Sequence, residues 1–142
     1  MMKKTLLGLC AITVLTGCSA ISSTPVETPN NIKHICIRNV KSQIPDFADY
    51  LATSLQKKGI KSEKMKNYAG HCKYGLSYTV RADNHANVRR AKLILNELQN
   101  GQRVAVLGSI SYKQRGEEKQ KARNEGIQAQ TDTMIAELFP NK

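Results

Sequence analysis

Between Tyr74 and Val80 the chain alternates strictly: Tyr74, Leu76, Tyr78 and Val80 are apolar or aromatic, and Lys73, Gly75, Ser77, Thr79 and Arg81 around them are small or polar. A period of two with one dry face and one wet face belongs to a strand of a half-exposed antiparallel sheet, so the spacing predicts a sheet covered on one side only. Asn100-Gly101 is the strongest short hairpin signal, and behind it Val104, Val106, Ile110 and Tyr112 recur at every second position apart from Gly108. Ahead of that turn, Val88 to Gln99 carries two competing patterns. Val88, Ala91, Leu95 and Leu98 would make a helical stripe of helix-favouring residues, whereas the turn demands a strand. The turn is the more specific of the two and favours a hairpin.

The other segments follow the same logic. Ile32 to Val40 is apolar on both faces, with Ile35 and Ile37 on one and Ile32, His34, Cys36 and Val40 on the other, as an interior strand requires. Pro45 and Asp46 suit the start of a helix, Phe47, Tyr50, Leu51 and Leu55 share one of its stripes, and Gly59 stands where a C-terminal cap belongs. Ile60 to Lys66 reads as a lysine-rich edge strand. After a charged stretch from Lys113 to Glu125, Gly126 breaks the chain from a last helix in which Ile127, Thr131, Met134, Ile135 and Leu138 form an apolar stripe ending before Pro140. The predicted order is β-α-β-β-β-β-α, an α+β domain with an antiparallel sheet and two helices packed on one face. Phe47, Tyr50, Tyr74, Tyr78 and Tyr112 sit at core periodicity and are expected to pack there.

At the N-terminus Lys3 and Lys4 precede a mostly apolar, uncharged run from Leu6 to Val14, too short to span a bilayer and shaped like a secretory signal. Leu15-Thr16-Gly17-Cys18 follows, with leucine three positions ahead of the cysteine and small residues just before it. This box resembles the lipobox of bacterial lipoproteins. The resemblance implies a signal peptide over 1–17 recognised through Leu15, Thr16 and Gly17, cleavage before Cys18, and acyl chains on the Cys18 thiol and the freed amine. Acyl chains contribute about 0.8 kcal/mol per buried methylene, so several of them anchor firmly. Ser19 stands where, in that class, an aspartate would retain the protein in the inner membrane, which implies the periplasmic face of the outer membrane. From Cys18 to Asn31 the composition is rich in Ser, Thr, Pro and Asn, and predicts a lipidated flexible tether over 18–31 ahead of a single domain over 32–142.

Of the 142 residues, 125 remain after the first 17 are removed, enough for one core. The formal charge of +11 becomes +9 without Lys3 and Lys4. A basic balance ordinarily raises nucleic acid as a partner, but export and the absence of Trp argue against it. Anionic headgroups, phosphorylated lipid A and acidic cell-wall peptides are the partners such a compartment offers. Candidate contacts are Arg81, Arg89, Arg90, Lys92 and Arg103 around the hairpin, with Lys113, Arg115, Lys119, Lys121 and Arg123 before the last helix. They form either a footing on an anionic surface or a solvated face balanced by Glu117, Glu118 and Glu125.

Of four cysteines, Cys10 lies in the signal and Cys18 carries lipid, leaving Cys36 and Cys72. In an oxidising compartment two leftover cysteines most simply form a disulfide. Two unpaired buried thiols are one alternative. Zinc held with His34 and His71 is the other, though the spacing fits no standard zinc module and no metal is assigned. There is no phosphate-cradling glycine loop, no His-Glu-x-x-His and no Gly-x-Ser-x-Gly, so no catalytic residue and no cofactor is expected and the chain reads as a non-enzyme.

Together the Cys18 box, the strand from Ile32 to Val40, the Cys-x-Tyr-x-Leu-x-Tyr-Thr run from Cys72 to Thr79, the Asn100-Gly101 hairpin and the closing Thr131–Phe139 helix resemble a group of small Gram-negative outer-membrane lipoproteins. That group has no established activity to transfer. The implied role is an anchored accessory module with a protein partner in an envelope assembly; a binding protein for a small anionic or lipidic ligand is the alternative. A cavity between helices and sheet would favour the ligand, and a filled core with an exposed sheet face would favour the module.

Overall fold

A computed structural model describes residues 20–142, and the chain is in the sheet from the second of them. Strand β1, Ile21–Thr24, runs antiparallel to the last strand, with Ile21 opposite Tyr112 and Thr24 opposite Ser109. Val26 is buried and donates its N–H to the Leu138 carbonyl at 2.9 Å, and Pro29 is buried in a single 3-10 turn. The predicted flexible tether is therefore corrected for residues 20 to 31. As an edge strand, β1 pairs only with β6 and turns Ile21 toward the Tyr112 row of the core, which a Ser- and Thr-rich segment can supply.

Strand β2 (His34–Arg38), helix α1 (Phe47–Lys57) and strand β3 (Lys61–Met65) form a βαβ unit, since β2 and β3 pair in parallel and a parallel pair needs a crossover between its strands. Strands β4 (Tyr74–Ala82), β5 (Val88–Gln99) and β6 (Gln102–Lys113) form an antiparallel meander, and helix α2 (Glu117–Leu138) closes the chain. The sheet order is β1-β6-β5-β4-β2-β3. The α+β class and the order from β2 onward are as expected, with one strand added in front. The sheet is mixed: antiparallel pairing holds from β1 to β4, whereas β2 is parallel to both β4 and β3.

The hairpin reading of Val88 to Gln99 holds. Asn100 and Gly101 have φ of 54° and 80°, the paired positive angles of a tight hairpin turn. Two register shifts then interrupt β6: Leu95 faces Gly108 while Asn96 faces Val106, and Leu98 faces Arg103. Each shift leaves an extra residue on β6 and turns the strand. As a result Ile110 and Tyr112 face the core at 1% exposure, but Val104 and Val106 are 55% and 57% exposed, which corrects their predicted place beside Ile110.

Both helices lie on one face. Phe47, Leu51 and Leu55 from α1 and Met134, Ile135 and Leu138 from α2 are all at most 1% exposed, against Ile35, Ile37, Leu76, Leu93 and Leu95 of the sheet. Each such side chain contributes roughly 2 kcal/mol on burial. α1 begins at Phe47, with Asp46 left-handed at φ 59° and making no side-chain cap. α2 is interrupted at Gly126, whose φ of 84° and ψ of −169° are not helical, where the sequence places its break. Between the helices Ser54 Oγ donates to Asp132 Oδ1 at 2.6 Å, Lys57 Nζ pairs with Asp132 Oδ2 at 2.6 Å, and Gln128 Nε2 donates to the Tyr50 carbonyl at 3.1 Å. No helix among the described residues is long and apolar enough to cross a membrane.

The opposite face of the sheet is covered only in part. The loop of residues 66–73 folds Tyr68 over Gly75 beside the buried set Cys36, Cys72 and Leu98. A methyl group at Gly75 would come within 2.6 Å of the Tyr68 ring and 2.8 Å of Leu98. Gly75→Ala is expected to cost about 2 kcal/mol by lifting that loop, measured by urea unfolding.

Candidate functional site

The helix-free face is built row by row from strand pairing, because directly opposite residues share a face. Arg81, Arg90 and Lys113 occupy one row across β4, β5 and β6. The next row holds Thr79, Lys92, Ser111 and, on β1, Ser22; the third holds Ser77, Ile94, Ser109 and Thr24. Arg38, two residues beyond Cys36 on β2, borders an open depression of about 230 Å³ shared with Ser77, Thr79, Lys92 and Ile94. A second, of about 200 Å³, lies among Arg81, Arg90, Lys92, Ser111 and Lys113. The ion pairs formed among the described residues engage none of Arg81, Arg90, Lys92 and Lys113. Like charges directly opposite one another repel, so this row is tolerated by the fold rather than required by it.

The structure brings together Arg81, Arg90 and Lys92 from the predicted contact set. Arg89 is the extra residue where the β4–β5 register shifts, exposed beside them. Arg103 faces Leu98 at the far end of the hairpin and does not join the group. Lys113 does join it, whereas Lys121 is held by Thr133 Oγ1 at 2.9 Å and by Glu118. Arg38 was missed, though its place in the alternation His34-x-Cys36-x-Arg38 put it on that face. Leu15, Thr16, Gly17 and Cys18 lie outside the described residues.

Cys36 and Cys72 form a disulfide with their Cα atoms 6.0 Å apart. With both sulfurs engaged in that bond, the two-imidazole, two-thiolate zinc set has no thiolates. What the structure assembles instead is a carboxylate between two imidazoles: His34 Nε2 and His71 Nε2 each lie 2.9 Å from Glu63 Oε2. No local pattern singled out Glu63, whose position on β3 opposite Cys36 follows only from the parallel pairing. The His71 hydrogen bond, above all, holds the Glu63 carboxyl below its ordinary range. All three side chains are about half exposed, which fits a surface clasp between β2, β3 and the loop of residues 66–73.

Four depressions on the described surface are open to solvent. The one among them that involves a helix, between α1 and β3, is about 360 Å³ and is lined by Ala52, Gln56, Ile60, Lys61 and Ser62.

No protein-family model matches the chain, and no curated protein does. Among solved structures it is similar to a PelC dodecamer from Paraburkholderia phytofirmans, at 16% identity over 83% of this chain and 92% of that one, with a TM-score of 0.49. It is also similar to a minor lipoprotein from Acinetobacter baumannii, at 17% identity over 72% of this chain and 86% of that one, with a TM-score of 0.34. Neither likeness is close enough to place the chain in a family.

Proposed function

We propose that the protein is a non-catalytic envelope module, lipid-anchored through Cys18 at the periplasmic face of the outer membrane, that presents the helix-free face of its sheet to a protein partner. The supporting observation is the division of the sheet: one side is packed under both helices, and the other exposes Val106, opposite Asn96, at 57% beside polar rows, with the bulged Val104 exposed two residues away. An exposed valine on an uncovered sheet face suits burial against a partner. On the same face the Asn96 Oδ1 atom is buried with no hydrogen-bond partner among the described residues. The small-ligand alternative draws less support, because such ligands favour enclosed, largely apolar cavities and the depressions here are open.

A photo-crosslinking residue at Val106 in intact cells should capture a discrete partner, and one at Gln56 on the solvent side of α1 should not. Equal capture from both positions would contradict the proposed face. Labelled palmitate entering the wild-type chain but not Cys18→Ser tests the anchor separately.

A further inference from the structure

Ala20 accepts a hydrogen bond from the Lys113 N–H at 2.8 Å, so the row of Arg81, Arg90 and Lys113 ends on the backbone where the N-terminal segment enters the sheet. Cys18 is two residues before Ala20, and two residues span about 7 Å at most. Because residues 21 to 24 are a strand and not a tether, nothing longer separates the cysteine from the domain. We infer that Arg81, Arg90 and Lys113 form a clamp for the phosphates of anionic lipid headgroups, holding this end of the sheet against the membrane beside the anchor. The inference rests on the lipid-anchor reading of Cys18.

The chemistry of the row fits that occupant. Arginine presents a planar fork of donors that matches phosphate oxygens, and Thr79 and Ser111 in the adjoining row add hydroxyls. Two of the acidic groups nearby are engaged. Asp83 accepts from Gln114 Nε2 at 2.8 Å and from the N–H groups of His85 and Asn87 at 2.7 and 2.9 Å. Glu118 accepts from the Tyr112 hydroxyl at 3.2 Å and faces Lys121 at 3.8 Å, and Glu117 and Glu125 on α2 are exposed. Three cations in adjoining positions repel one another in solution and lose that penalty against a plane of negative charge. The opposite end of the sheet also carries Lys61, Lys73 and Arg103, but it lies farthest from the anchored terminus. Chain entry, and not basicity alone, selects the first row.

The test uses the unlipidated chain from residue 18 with Cys18→Ser, since residues 20–142 contain the whole core described above. It is floated with phosphatidylcholine vesicles, with and without phosphatidylglycerol. Binding should need the anionic lipid and fall with salt. Arg81→Gln, Arg90→Gln and Lys113→Gln together should weaken it about a hundredfold, roughly fivefold per cation. Lys61→Gln, Lys73→Gln and Arg103→Gln, an equal change of charge at the other end, should leave most of it; Arg81→Lys with Arg90→Lys, which keeps the charge and loses the fork, should bind between the wild type and the row variant, whose fold is read by its own urea unfolding midpoint. Equal losses in the two triple variants, binding to neutral vesicles alone, or self-association that shuts vesicles out would each overturn the clamp. Palmitate labelling reads the anchor independently, so an unlabelled wild-type chain would remove the Cys18 reading while the vesicle comparison still judges the row.

Discussion

Replacing Cys36 and Cys72 together by alanine is expected to lower the stability of the domain by about 4 kcal/mol. The bond joins residues separated by 36 positions, and in the chain-entropy model a closed loop of that length restricts the unfolded ensemble by this amount. The pair also ties the interior strand β2 to the loop of residues 66–73, with both cysteines at 0–1% exposure next to Leu98. Thermal unfolding of the double variant should fall by roughly 15 °C, and reducing agent should bring the wild type to the same midpoint. A change below about 1 kcal/mol would mean that packing around Leu98 and Tyr68, and not the cross-link, holds this corner.

The second large effect is expected at Gln130, a fully buried polar residue on α2. Its Oε1 accepts the Val88 N–H at 2.9 Å, and its Nε2 donates to the Val88 carbonyl at 2.8 Å and to the Tyr112 hydroxyl at 2.7 Å. One amide thus joins the helix to β5 where that strand begins and to β6 near its end. Burial pushes the Tyr112 hydroxyl well above its ordinary range, so it stays a neutral partner at any ordinary pH. In Gln130→Leu the volume is kept but the Val88 N–H is left buried and unpaired, which costs about 2 kcal/mol; Gln130→Ala adds a cavity and should cost about 3 kcal/mol. The Val88 carbonyl keeps Gln114 as a donor, so the N–H carries most of the loss. Urea unfolding measures both, and a neutral Gln130→Leu would show that α2 is positioned by its apolar stripe alone.

The features legible in the sequence are those a local pattern encodes. The alternation from Tyr74 to Val80, the Asn100-Gly101 turn, the α1 stripe and the Gly126 break each correspond to a backbone period or a special dihedral. What was illegible depends on strand pairing. Alternation carries no strand direction, so the parallel pairing of β2 with β3 and β4 could not be read from Ile35 and Ile37. β1 was hidden because an edge strand of serine and threonine has a spacer's composition, and the bulges in β6 moved Val106 from the face its spacing assigned and left Val104 unpaired. Gln130 carries no local signal, since its partners are supplied by other strands. The basic set was visible as composition, but that Arg81, Arg90 and Lys113 stand abreast follows only from register.

Attaching a fluorophore through His85→Cys in the β4–β5 turn, or through Gln102→Cys at the hairpin, to the lipidated protein in vesicles with a headgroup-bound quencher measures which end of the sheet meets the membrane. The two sites are separated by roughly 30 Å along the strands. Strong quenching at residue 85 and little at residue 102 is the result expected for a domain standing on its basic row; equal quenching, or the reverse order, would contradict it.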